Sequence, residues 1–413
     1  MAPRPGAGNG LDVLVVGGGP AGSITAGLLA RRGRNVLLVD RALFPRPKAC
    51  GECLNPGAVG ALRRLGLLET VLALRPARLG GWVIRSSGGE RALARFGPEA
   101  EWGLSLRRLD LDTALLGAAR QRGAAVLTGV RVEGVASPAG GRVEVLARES
   151  GGGDLRTWRP RLVVGADGMR SVVARSIGSV RRRPRLRKVS LTCHVRTSPG
   201  AVDHGTLMLS DGGTVGLAPL DGSGELWNVT VVVDPARFGR ALAADRMAVF
   251  RARLATAGAR WAGADVVDGP WASGPFDWPC RSTVGPGVLL VGDAAGYYDP
   301  LTGQGIYRAL RSAEWAAEAA DAHLADRPGA LAAYRARMKA FVPGRRLQHG
   351  VERVVSRRWL RERAIGLLSR KATVANRLVR VTGDVEPVRS LISPGLWLGR
   401  SSPAERVRGH ADD

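Results

Sequence analysis

Three glycine-rich segments, each carrying an aspartate within or just after it, are the parts of this chain best suited to chemistry. Gly17, Gly19 and Gly22 stand in the spacing G-x-G-x-x-G, and Asp40 closes the apolar run that comes next. In such a turn the first glycine permits a tight bend, the second lets backbone N–H groups approach a pyrophosphate, and the third lets a helix pack closely. A carboxylate at Asp40 is placed to accept hydrogen bonds from a ribose diol. The second segment is Gly165-Ala166-Asp167-Gly168 and the third is Gly292-Asp293. Taken alone, the second is equally compatible with an ordinary turn. A fourth phrase, Cys50-Gly51-Glu52-Cys53, brings two thiols into one loop.

Elements of definite type must hold these residues. Residues 11–16 form a valine-rich run suited to a buried parallel strand, and 23–32 read as a helix stopped by Gly33. A second strand over 35–39 completes a βαβ unit that ends at Asp40, so the glycines lie in the context that dinucleotide binding requires. The spacing further predicts a helix from 57 to 68, strand-like structure over 82–95, a helix over 109–122, and two strands around a turn between 125 and 147. Short buried strands at 162–164 and 288–291 would deliver the second and third glycine segments. Between them, 190–273 alternates as an antiparallel sheet does, with an embedded helix over 235–255. A helix over 306–324 follows the phrase Pro300-Leu301-Thr302-Gly303-Gln304-Gly305.

The ordered set of Gly17, Gly19, Gly22 and Asp40, then Gly165 to Gly168, then Gly292 and Asp293, resembles the FAD-binding signature of the para-hydroxybenzoate hydroxylase superfamily. The resemblance covers residues 11 to about 320. It implies an α/β fold: a discontinuous Rossmann-like FAD domain (1–75, 100–185, 280–340), an inserted antiparallel substrate-binding sheet (76–99, 186–279), and a helical basic region at 341–413. By the same resemblance Gly17, Gly19 and Gly22 hold the pyrophosphate, with Asp40 and its neighbour Arg41 at the adenosine ribose. Arg108, in the phrase Arg-x-x-Leu-Asp, reaches FAD from the side, Asp167 belongs to the second signature, and Gly292 and Asp293 face the ribityl chain. The helix opening at Gly305 and Ile306 would point its positive end at a reduced flavin. Cys50, Gly51, Pro300, Gly303 and Gln304 are candidates for lining the ring.

Three chemistries stay open within that superfamily. FAD-dependent hydroxylation of a hydrophobic aromatic or polyketide-like molecule is the first expectation, reduction of an isoprenoid double bond the alternative, and halogenation the third. Lys48-Ala49-Cys50-Gly51 and the 300–306 phrase resemble the geranylgeranyl reductase branch, and the hydroxylase pattern would have His where Gly296 stands. Yet Thr214 to Pro219 lacks the aromatic residues of the reductase motif, and small residues there suit a flat ring. Against halogenation, no lysine lies between Cys53 and Arg187. NAD(P)H would reduce the flavin by transient docking, because no second complete G-x-G-x-x-G is present.

Composition sets the outer limits. With 413 residues, 45% hydrophobic and 23% charged, the chain is that of a folded globular protein. The net charge of +25 is carried almost wholly by arginine, the bias of a GC-rich genome. Residues 1–10 read as a loose tail ahead of the first strand, despite a superficial likeness to a secretory signal. Four cysteines make no disulfide framework, which points to the cytoplasm, and the lone C-x-x-C lacks the further ligands a zinc site needs. The basic run 181–188 has no interleaved aromatics, so no nucleic-acid partner is expected. Apolar residues from Val351 to Leu368 fall at helical spacing among arginines. They read as one basic helix packed over the substrate sheet; the alternative is peripheral membrane contact. No general base can be named, since His194, His204 and His323 have no local context.

Overall fold

The computed structural model describes residues 10–97, 101–149, 152–200 and 202–393. The expected tail before the first strand, apart from Gly10, and the basic region from 394 onward lie outside the described residues. A six-stranded sheet runs in the order Val284–Gly285, Val288–Leu290, Leu162–Gly165, Val13–Val16, Val36–Asp40, Ala125–Thr128, parallel except at its first, edge strand. Its central strands are apolar on both faces because both are covered. Val13, Val15, Val36 and Leu38 face the helices Pro20–Arg31, Arg108–Gln121 and Gly305–Leu324, whereas Leu14, Val16, Leu37 and Val39 meet a three-stranded antiparallel sheet.

That antiparallel layer is Val130–Ala139, Arg142–Glu149 and Leu155–Trp158. The segment expected to hold two strands therefore holds three, because Gly129 at φ +76° ends Ala125–Thr128 and lets the chain leave the parallel sheet.

A seven-stranded sheet follows the order Asp265–Ser273, Val189–Arg196, Leu226–Val233, Gly213–Pro219, His204–Ser210, Gly81–Ser86, Arg91–Arg95. Only His204–Ser210 with Gly81–Ser86 is parallel. All seven strands fall within 76–99 and 186–279. One face packs on the helix Arg246–Ala255 through Leu191, Cys193, Val229, Val231, Phe250 and Leu254. The expected single helix over 235–255 is two, Pro235–Ala244 and Arg246–Ala255. Asp245 divides them in extended conformation, its Oδ1 accepting the N–H groups of Met247 and Ala248 at 2.8 and 3.0 Å.

The C-terminal helices are Val342–Val355, Arg358–Arg370 and Ala372–Thr382. The continuous helix expected through 351–368 is thus broken, at Ser356 and Arg357, and the chain folds back over the other face of the large sheet. Val355, Ile365 and Leu368 pack there on Ile84 and Leu209, and Ala375 and Val379 on Leu79 and Phe96.

Candidate active site

The three strands that carry the glycine segments are neighbours in the parallel sheet, so segments far apart in sequence meet at adjacent carboxyl ends. Gly17 has φ +109°, and a Cβ on it would lie 2.4 Å from Ala166 O, the first residue pair joining segment one to segment two. A Cβ on Gly22 would lie 1.7 Å from Gly17 O, so only glycine lets the helix Pro20–Arg31 start that close to the turn. Gly19 faces open space, with Arg46 Nη2 as its nearest neighbour at 3.8 Å. Asp40 is buried; its Oδ2 accepts the Gly18 N–H at 2.6 Å and its Oδ1 the Ala42 N–H at 2.8 Å. It braces the glycine turn and keeps further lone pairs on both oxygens. Arg41 stands exposed at the rim. Asp167 caps the helix Val172–Ser176 through Oδ2, at 2.6 Å from Val172 N, and burial pushes its carboxyl up. Gly292 at φ +56° brings the third segment against Ala21 and donates its N–H to Ser312 Oγ at 2.9 Å.

Cys50, Gly51, Asp293, Pro300, Gly303 and Gly305 face a cavity of about 940 Å³. Nothing would lie within 4 Å of a Cβ on Gly303 or Gly305, so their backbone is uncovered. The N–H groups of Gly305 and Ile306 open a helix of 20 residues and have no acceptor within it. Gln304 departs from expectation. It is 3% exposed and turned out of the cavity, its Nε2 donating to Asp384 Oδ1 at 2.8 Å, so it anchors the C-terminal segment instead of lining the ring. Arg108 does line the cavity, but its guanidinium is held by Asp112 in a two-pronged pair at 2.8 and 2.7 Å. Lys48 lines the same cavity; burial, and then the charge of Arg108, lower its pKa.

From the glycine segments the cavity extends between the large sheet and the C-terminal helices. Thr214 and Ala218 present small side chains to it and Gly216 bare backbone, while Val215 fills the core behind. Ile84, Leu209, Ile365 and Leu368 form its apolar far wall.

The structure also assembles a polar chain that no sequence spacing announced. Glu52 is 2% exposed and holds φ +56°, a left-handed conformation that costs a non-glycine residue energy. Its Oε1 accepts the backbone N–H of Arg108 at 2.6 Å, and its Oε2 meets His194 Nε2 at 2.9 Å and Asn228 Nδ2 at 3.0 Å. Asn228 also donates to Cys50 O at 3.0 Å. His194 Nδ1 lies 3.3 Å from Asp268 Oδ2, a carboxylate half exposed to solvent. Burial works to lower the His194 pKa, but the Glu52 and Asp268 carboxylates outweigh it and the net shift is upward. The cysteines are all free, and the partly buried thiol of Cys53, 3.0 Å from Gly51 O, is pushed up by desolvation.

Asp384 fastens the roof to this site, accepting from Asn55 Nδ2 and Gln304 Nε2 at 2.8 Å each. Burial raises its carboxyl from 3.8 to about 7. A carboxyl raised by folding stabilises fully below its unfolded pKa, and that contribution is lost as pH rises towards the folded value. Melting curves should therefore show stability falling between about pH 4 and pH 7, by about 4 kcal/mol. Asp384→Asn should flatten that slope; an unchanged slope would place the titration elsewhere.

Glycine turns on three adjacent strand ends, opening on a large apolar cavity, define a dinucleotide-cofactor oxidoreductase of the kind that binds substrate beside its cofactor. The chain belongs to the FAD binding domain family, whose model matches residues 10–342, and is an FAD-dependent oxidoreductase. It is 32% identical to menaquinone reductase of Mycobacterium tuberculosis over 323 residues, 75% of this chain and 76% of that one. It is 28% identical to digeranylgeranylglycerophospholipid reductase of Methanosarcina acetivorans, over 75% of this chain and 74% of that one. Among solved structures it is similar to the flavin-dependent halogenase CmlS, with TM-score 0.70, 26% identity and coverage of 80% of this chain and 62% of that one. The fold is also shared with p-nitrophenol 4-monooxygenase of Pseudomonas putida, at TM-score 0.76 and 20% identity over 92% of this chain and 98% of that one. FAD is the family's cofactor, and NAD(P)H its typical electron donor.

Proposed function

We propose that this protein is an FAD-dependent reductase of carbon–carbon double bonds in a long-chain prenyl lipid. The observation that carries the reading is the cavity: about 940 Å³, apolar beyond its polar inner end, and roofed by the C-terminal helices along its length. The relatives named for menaquinone and for a digeranylgeranyl lipid support it, since both compounds bear prenyl chains. The order of preference drawn from the sequence is thereby reversed. The small residues of Thr214 to Ala218, read there as room for a flat ring, fit equally a chain lying along the sheet.

The residues present fit FAD. Gly17 and Gly22 leave no room for side chains, while Asp167 Oδ1 and Arg308 Nη2, in the cavity wall, are buried without a hydrogen-bond partner among the described residues. Gly17, Gly19 and Gly22 would hold the pyrophosphate and Asp40 the ribose. Asp293 and the N–H groups of Gly305 and Ile306 would lie towards the flavin end. When bound and reduced, the cofactor supplies a hydride. The chain's own part is to exclude water with Ile84, Leu209, Ile365 and Leu368, to align the lipid along the sheet, and to complement negative charge with the helix N-terminus at Gly305.

Peripheral membrane contact belongs to the same reading. No helix among the described residues is long and apolar enough to cross a membrane. Trp359, 62% exposed on the roof beside the exposed Arg358, supports contact with an anionic surface. The protein should be incubated anaerobically with NADPH and anionic vesicles containing a polyprenyl quinone. A gain of two hydrogens in the lipid, with the protein floating with the vesicles, is the expected result. A product formed only in air and carrying oxygen from labelled O₂ would establish hydroxylation instead.

A further inference from the structure

Reduction of a double bond needs a proton as well as a hydride, and resting on the reductase reading we infer that His194 and Glu52 supply it, with Asp268 connecting them to solvent. The geometry is a continuous line. Asp268, on the strand Asp265–Ser273, is half exposed; His194, on Val189–Arg196, is 4% exposed; Glu52 is 2% exposed and forms part of the cavity wall next to Cys50. The two links are 3.3 and 2.9 Å long. Each imidazole nitrogen faces a carboxylate oxygen, which is the arrangement of an imidazolium donating on both sides.

The surroundings fit that charge state. The ring of Trp271 meets the imidazole edge-on at 5.0 Å and contributes no charge. Asn228 is neutral, and Arg108 reaches Glu52 only through its backbone N–H while its guanidinium is neutralised by Asp112. Glu52 and Asp268 are thus the carboxyl groups facing His194, and Cys50 and Cys53 are the remaining titratable neighbours on the loop. Glu52 occupies a left-handed backbone position that glycine would fill without strain, so its carboxylate is what the position retains.

The Nε2 proton of His194 moves to Glu52 Oε2 and from there to the hydrogen-bearing carbon of a trisubstituted double bond. The methyl-bearing carbon, which tolerates positive charge better, receives the hydride with its electron pair. The π bond is lost, two C–H bonds form, and the reduced cofactor, recharged by NAD(P)H, is oxidised by two electrons. His194 is left neutral with its proton on Nδ1 and none on Nε2; a half-turn of the imidazole then brings Nε2 to Asp268, through which it regains a proton from solvent, while the protonated Nδ1 turns to Glu52.

The test begins on the unmodified holoprotein labelled with ¹⁵N-histidine. Among the five histidines, His194 should show both ring nitrogens protonated at pH 7 and titrate above the ordinary value of 6.5. Glu52→Gln should move that titration below 6.5. Turnover should fall about 100-fold in His194→Gln, with KM for the lipid little changed and the wild-type loss of kcat at high pH abolished. Flavin content and circular dichroism check that each variant is folded. A neutral His194 at pH 7 in the holoprotein overturns the proposal without reference to any variant, as does His194→Gln turning over with the wild-type rate and pH profile. Failure of the reductase reading is seen separately, as wild-type protein that leaves every prenyl double bond intact.

Discussion

Gly22→Ala should purify without flavin colour and melt well below the unsubstituted protein. The added methyl would sit 1.7 Å from Gly17 O, which is inside covalent-contact range, and its other neighbours at 3.0 to 3.2 Å belong to the Gly17 backbone and the Ala166 side chain. No flexible side chain can yield there, so the helix Pro20–Arg31 must move away from the turn. That displacement breaks the contact between the first and second glycine segments and opens the cradle. Overpacking against backbone costs about 3 kcal/mol or more. Gly60→Ala is the matched control: in the helix Pro56–Arg64 its Cβ would approach only Arg64 Nη1, at 3.7 Å, and alanine there should add up to ~1 kcal/mol. Flavin absorbance per chain and the melting temperature read both. Full flavin occupancy in Gly22→Ala would mean that the cofactor lies elsewhere.

Gly216→Phe should sharply slow turnover of long substrates while leaving the protein yellow. Gly216 lies in the middle of Gly213–Pro219 on the face that lines the cavity, and its Cβ would make only ordinary contacts, 3.6 Å to Leu207 Cδ2 and 3.8 Å to Thr230 O. The larger side chain therefore has one direction open to it, across the cavity. For a polyprenyl lipid kcat/KM should drop about 100-fold, equivalent to ~3 kcal/mol, with a smaller loss for a single prenyl unit. A uniform loss for long and short substrates would show that the chain does not lie along this strand.

The cradle was legible in the sequence because its information is local. Strand, turn, helix and acid follow one another within about thirty residues, the span a βαβ unit requires, and Gly17 and Gly22 each occupy a place where a Cβ would run into backbone. The Glu52, His194 and Asp268 line was invisible for the opposite reason: its members come from a loop and two strands of the large sheet, and only strand pairing brings them together. A signal existed in Glu52 itself, a charged residue set between Gly51 and Cys53 in a loop that otherwise offered thiols. Gln304 misled because its neighbours Gly303 and Gly305 do face the cavity, and a single residue turned outward at a helix start leaves no mark on composition. Likewise, the periodicity through 351–368 was real but joined two helices, since the break at Ser356 and Arg357 keeps the apolar faces of both directed at the same sheet.

The match to the FAD binding domain family ends at residue 342, where the roof begins. The FAD-binding part of the chain and the roof over the cavity are thus consecutive stretches of polypeptide, joined by Asp384 and the residues it grips. The roof can therefore change in shape, and the cavity with it, without disturbing the turns of Gly17, Gly22 and Gly292.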